Sequence, residues 1–257
     1  TKHSVAAIIV CIIPVLFGFV IPLMQLFSWS FMTYKDVIDY KLIKVIWNTF
    51  SIAMIGAIFA TMMAVIISNT SRLKKGKISK TLSKLTTIGY SIPGAVIAIG
   101  VMTFFIFVDR KVLGQKVFYG TLFLMVFAYI IRYLAVAYNS VESGFDKIGM
   151  KFHEASRSLG YGKTKTFFRV DLPMVKGSIT GEVILTFLEI IKELPLTLIL
   201  RPFNFQTLST YAKQYADDEM VQHSAIPSIV LILNSNFRIC FLALSSPGSS
   251  KAHPLLF

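Results

Sequence analysis

The sequence has little of what soluble enzymes are made from. Charge is scarce: Asp, Glu, Lys and Arg make up 15% of 257 residues, and only 13 of them are acidic. So little charge cannot dress the surface of a soluble domain of this size. There are two cysteines, Cys11 and Cys240, with no metal-ligand neighbour at useful spacing. A disulfide framework is therefore not expected. His3, His153, His223 and His253 are scattered and form no zinc pattern, so no metal ligand is assigned. No P-loop sequence occurs, and the chain is not expected to bind ATP itself. Neither a Ser–His–Asp set nor a catalytic carboxylate pair is present, which disfavours an intramembrane hydrolase. No cofactor is expected, and no internal repeat is visible.

What the chain has in excess is apolar sequence. Hydrophobic residues make up 54%, and the mean hydropathy is +0.67. A helix needs roughly 20 apolar residues to cross about 30 Å of hydrocarbon. Runs of that kind lie at 5–27, 46–68, 85–108, 118–138 and 179–200, with a weaker one at 226–243. They predict an all-α membrane protein of about six transmembrane helices. The first run is too long for a signal peptide, holds Pro14 and Pro22, and lacks an Ala-x-Ala-like cleavage site.

The net charge of +13 could suggest a nucleic-acid partner, but its distribution does not. Arg72, Lys74, Lys75, Lys77, Lys80 and Lys84 crowd one loop. Lys147, Lys151, Arg157, Lys163, Lys165, Arg169 and Lys176 crowd another. The loops between are poorer in net positive charge, and Asp217, Asp218 and Glu219 follow the fifth run. This alternation fits the positive-inside rule. It places the N-terminus and the loops 72–84 and 139–178 in the cytoplasm. Membrane lipid is the expected environment, and nucleic acid is not an expected partner.

The second basic loop is the most informative segment. It reads EASRSLGYGKTKTFFRVDLP from Glu154 to Pro173. Residues 148–159 can form a short helix with Phe152, Ala155 and Leu159 on one side. Gly160 and Gly162 allow a turn, and Phe167, Phe168 and Val170 begin a second apolar face that Pro173 ends. The fixed points Glu154, Ala155, Gly160, Leu172 and Pro173 resemble the "EAA" loop of bacterial ABC-importer permeases. Ser156 stands where that family has a second Ala, and Val170 where it has Ile. An ordinary basic loop needs neither the glycine spacing nor the Leu-Pro end. The resemblance implies a type I ABC-importer permease bundle whose first loop helix docks on a separate ATPase subunit.

The segment Gly181–Arg201 places Glu182, Glu189, Lys192 and Glu193 in an apolar run. Spacings of seven and four put the glutamates along one helical stripe. Glu189, Lys192 and Glu193 facing lipid would together cost on the order of 8–10 kcal/mol. They should face a bundle interior or a wet cavity, either as a packing ion pair of Lys192 with Glu189 or as a translocation pathway. Pro195 weakens the helix nearby. The run from Lys192 to Phe205, followed by Thr207-Leu208-Ser209-Thr210, resembles a segment of iron(III) ABC-importer permeases. Tyr215 to Met220 is similar to a later stretch of the same family. A hard cation prefers oxygen ligands, which suits carboxylates without selecting iron. Pro93-Gly94, after Ser91, permits a kink or a broken helix that the resemblance places near the pathway.

The resemblance covers residues 5 to 230 and matches the second half of such permeases. It implies a single transmembrane domain over 1–257, with a coupling loop at 139–178 and a divergent tail at 234–257. The tail carries Arg238 where a last span is expected and is rich in Pro, Gly and Ser. A frameshift, a truncated gene copy or a natural divergent end would each produce it. The implied function is a multi-pass permease subunit of the bacterial inner membrane, moving ferric iron. Its implied partners are an ABC ATPase, a homologous or identical second permease half and an external substrate-binding protein. The alternatives are a permease for a polyamine, phosphonate or thiamine, or a non-transporting remnant.

Overall fold

The computed structural model describes residues 10–73 and 76–234. Among these every regular element is helical. The described residues divide into two compact units, one of residues 10–49 and 206–234 and one of residues 50–73 and 76–205. The expected divergent tail lies, apart from Asn234, outside the described residues.

In the first unit, helix α1 spans Val10–Val37 and holds a π-helical turn at Leu16–Val20. Its apolar side chains stay exposed, Phe17, Met24 and Phe31 among them, as lipid contact requires. Helix α2, Tyr40–Leu73, begins in this unit and continues into the second. Asp39 caps it: its Oδ1 accepts the Leu42 N–H at 2.8 Å.

Seven further described helices belong to the second unit. Helix α10, Leu208–Asp217, then returns to the first unit with a Thr207–Thr210 capping box. Its Leu208 N–H donates to Thr49 Oγ1 at 2.8 Å, which satisfies one of the free donors at the helix start. Helix α11 spans Val221–Asn234. Val37, Leu42, Val45, Leu208, Tyr211 and Ile226 form the core of this unit.

The second unit holds the rest of α2, then α3 at Lys77–Ile88, α4 at Gly94–Val108 and α5 at Leu122–Ile148. The short helices α6, Lys151–Ser158, and α7, Lys163–Thr166, follow. Helix α8 spans Leu172–Ile191, and α9 spans Pro195–Leu200. Small side chains set how closely these helices approach, as is usual in lipid, where close packing rather than water exclusion drives association. Ala53, Ala57, Ala60 and Ala64 form a fully buried stripe on α2. Gly144 of α5 meets Ser178 of α8 so closely that a Cβ there would lie 2.6 Å from the serine. Ala137, Tyr138, Val141 and Phe145 pack with Ala64, Val65 and Val175 nearby.

Three described helices are long and apolar enough to cross a membrane: α1, α2 and α5. Each continues past the C-terminal end of the apolar run that announced it, to Val37, Leu73 and Ile148. The expected span at 85–108 is not straight. Residues Lys84–Ser91 and Gly94–Leu113 meet at a bend of 114°. The expected span at 179–200 is also interrupted, ending as α8 at Ile191 and restarting at Pro195. Pro195 is the first residue of α9, where its missing N–H costs nothing.

Candidate functional site

Gly149, with φ 68°, ends α5 and turns the chain into α6. At the far end of α6, Gly160 takes φ 86°, a left-handed conformation that favours glycine. The Gly160 N–H donates to Arg157 O at 3.0 Å, and the Tyr161 N–H donates to Ser156 O at 3.3 Å. These are the two bonds of a Schellman ending. Gly162 has φ −66° and needs no glycine, so only the first of the two loop glycines is required by the backbone.

Helix α6 has two unlike sides. His153 and Ser156 are buried. Glu154 and Ala155 are exposed, as are Phe152 at 53% and Leu159 at 78%. The apolar side expected from the sequence therefore exists and is left exposed among the described residues. Leu172 and Pro173 start α8, and Leu172 packs on the core around Phe145. Pro173 therefore opens α8 as well as closing the loop.

The polar side of α6 fastens the loop to the helices. His153 Nδ1 lies 2.7 Å from Asp171 Oδ2. Asp171 Oδ1 lies 2.9 Å from Arg72 Nη2 at the end of α2, and the Arg72 guanidinium rests over the Phe145 ring at 4.4 Å. Ser156, the departure from the family pattern, shares a 3.0 Å hydrogen bond with Thr166. Sequence reasoning missed all four partners. A buried hydroxyl needs a mate, so Ser156 in an otherwise alanine position was the available signal.

The charged residues after α8 separate into two groups. Glu189 and Lys192 make an ion pair at 3.0 Å with the lysine side chain 41% exposed. Glu193 is buried, with Arg132 Nε of α5 3.1 Å from its Oε2 and the Tyr133 hydroxyl donating to that oxygen at 2.7 Å. The Leu196 N–H donates to Glu193 Oε1 at 3.2 Å. Glu182 is fully buried, with Thr186 donating to its Oε1 at 2.5 Å. The expected single stripe of glutamates is not formed, because α8 ends before Glu193 and the chain turns it inward. Pro195 is exposed beside them. Between α5 and α8 an open cleft of about 660 Å³ is lined by Ser140, Ser143, Lys147, Lys176, Gly177 and Thr180.

A family model described as the binding-protein-dependent transport system inner membrane component matches residues 56–244. The chain belongs to that family. As a family member it is a multi-pass inner-membrane protein, consistent with its apolar helices. It is similar to the Fe(3+)-transport system permease protein FbpB 2 of Haemophilus influenzae, at 24% identity over 76% of the chain and 37% of that protein. The molybdate/tungstate transport system permease protein WtpB of Methanocaldococcus jannaschii is 33% identical over 30% of each chain. The chain thus spans about a third of the length of the curated relatives it matches. Among solved structures, a bacterial alginate ABC transporter chain superposes with a TM-score of 0.77 at 14% identity, covering 95% of this chain and 92% of that one. A chain of the MetNI methionine ABC transporter gives 0.61 at 14% identity, covering 81% of this chain and 100% of that one. The fold of this family member is that of a type I ABC-importer permease.

Proposed function

We propose that this family member is a pore-forming permease subunit of an ABC importer that moves ferric iron inward, driven by a separate ATPase. The carrying observation is α6, a helix with a Schellman ending whose buried side is tied to Asp171 and Thr166 and whose Phe152 and Leu159 are exposed. Such a helix suits docking into an apolar groove, with Glu154, Ala155 and Gly160 at the contact and Leu172 and Pro173 passing the motion into α8. The occupant of that role is the ATPase. A second permease half, homologous or identical, completes the pore, and an external binding protein delivers the solute. The N-terminus is cytoplasmic on this reading. The alginate ABC transporter that shares this fold was solved in complex with a periplasmic protein, which supports that type of assembly.

The exposed Glu189–Lys192 pair, beside Pro195, is the proposed pathway group. ATPase closure pulls the loops and rocks the two halves, giving alternating access. Iron is favoured by the relative matched over 76% of the chain. The molybdate/tungstate relative supports a second reading, an oxyanion, for which Lys192 rather than Glu189 would face the solute. Uptake of radio-iron and of radio-molybdate by vesicles holding the assembled transporter separates the two. Iron uptake that needs ATP and binding protein is the expected result; uptake of molybdate alone would overturn the iron assignment.

A further inference from the structure

Two helix breaks lie side by side in the second unit, and one ion pair joins them. At the first, a 3-10 turn, Gly89–Ser91, gives way to extended Ile92 and Pro93 before α4 begins. At the second, residues 192–194 separate α8 from α9. Each break frees backbone groups that a continuous helix would have paired, and in hydrocarbon such groups must find partners inside the protein.

Arg132, on α5, serves the first break: its Nη1 donates to the Ile92 carbonyl at 3.0 Å. The same guanidinium serves the second break through Glu193, whose Oε2 lies 3.1 Å from Nε as an ion pair. Glu193 in turn accepts the Leu196 N–H of α9. Tyr133, the neighbour of Arg132, donates to the carboxylate at 2.7 Å and also approaches the Glu189 carbonyl at 3.2 Å. Gly94 makes room for this. A Cβ there would stand 2.5 Å from Glu193 Oε1 and 3.0 Å from Arg132 Nη1. The carboxylate side chain is 6% exposed, and both its oxygens are already engaged by protein donors.

We propose that Arg132 and Glu193 are positioning residues, a cross-brace that locks the two helix breaks, and with them α4 and α9, into one moving piece. Glu193 then carries no solute. The solute-facing Glu189–Lys192 pair, one turn away, is held in place by the brace. One planar group spans both breaks, hydrogen-bonding the Ile92 carbonyl through Nη1 while its charge pairs with the carboxylate beside Nε, a reach that a single ammonium does not match. The brace rests on the importer reading only for its uptake readout.

The test is a double-mutant cycle of Arg132→Gln, Glu193→Gln and the pair together. It is read by thermal unfolding of the detergent-solubilised permease and by radio-iron uptake in vesicles holding the assembled transporter. Each single variant strands a buried charge, which costs more than removing both members. Each should therefore unfold at a lower temperature and lose uptake by about tenfold; the double, which strands no charge but has no brace, should unfold at a higher temperature than either single while its uptake stays as low as theirs. Where a single variant does not fold, recovery of folded protein in the double is the same coupling and supports the brace. Wild-type uptake in a folded Arg132→Gln variant beside an inactive Glu193→Gln variant would make Glu193 a solute group and overturn the proposal, as would wild-type uptake in the double. So would additive losses in unfolding temperature. Arg132→Lys keeps the charge and loses the fork; wild-type unfolding and uptake in that variant would reduce the brace to mere charge compensation and reject it. If the importer reading itself fails, wild-type vesicles take up no iron, while the unfolding cycle still reports the coupling.

Discussion

His153 and Asp171 meet at 2.7 Å across the second basic loop, and Asp171 reaches on to Arg72 at 2.9 Å. The buried side of α6 is thereby joined to the end of α2 through one carboxylate. A force applied to α6 passes directly into a membrane helix. Asp171→Asn leaves Arg72 without its counter-charge. Breaking a buried pair by removing one partner costs roughly 3–5 kcal/mol. The expected result is a permease that inserts but shows weaker coupling between binding protein and ATP hydrolysis. Full substrate-stimulated hydrolysis in the assembled variant would mean the anchor is dispensable.

Gly160→Val should uncouple the ATPase while membrane insertion persists. The left-handed φ of 86° costs a β-branched residue on the order of 1–2 kcal/mol or more, and the Schellman ending is lost. Gly162→Val should be much milder, since Gly162 has an ordinary φ of −66°. Equal loss of substrate-stimulated ATP hydrolysis in the two variants would contradict the assigned turn.

Gly144→Ala should force α5 and α8 apart, because the new methyl group would lie 2.6 Å from Ser178. Overpacking of this kind costs about 1–3 kcal/mol. Ser178→Gly in the same chain should recover most of the loss. Thermal unfolding in detergent reads both, and a double variant no more stable than Gly144→Ala would show that the crossing is not limited by this contact.

Cysteines introduced at Lys163 and at Asp217 should label from opposite sides of the membrane, Lys163 from the cytoplasm and Asp217 from outside. Both positions are exposed, so access is decided by the bilayer. Labelling of Lys163 by an impermeant external reagent would remove the basis for ATPase docking.

Glu189→Gln should lower iron uptake at least tenfold without impairing insertion or ATP hydrolysis, because it removes the proposed pathway carboxylate and leaves Lys192 unpaired near the solute. Unchanged uptake would leave Glu189–Lys192 as a packing pair.

Local chemistry was legible in the sequence. The apolar runs announced the membrane helices, since hydrocarbon thickness alone sets their length. Gly160 announced a left-handed turn, and Pro93-Gly94 and Pro195 announced breaks, because these residues restrict or free their own backbone. The Glu189–Lys192 pair follows from one turn of helix.

What no local pattern contains is which distant side chain satisfies a buried group. Seven- and four-residue spacings put Glu182, Glu189 and Glu193 on one stripe only if the helix continues, and α8 stops at Ile191. Arg132, far from Glu193 in sequence, then becomes its counter-charge. Ser156 finds Thr166, and Asp171 finds both His153 and Arg72, for the same reason. Sequence by itself determined that this chain is a helical membrane protein with a capped basic loop and broken helices. Tertiary structure decided which charges are buried partners and which remain exposed, because the cost of burying a charge depends on what the fold brings within about 3 Å of it.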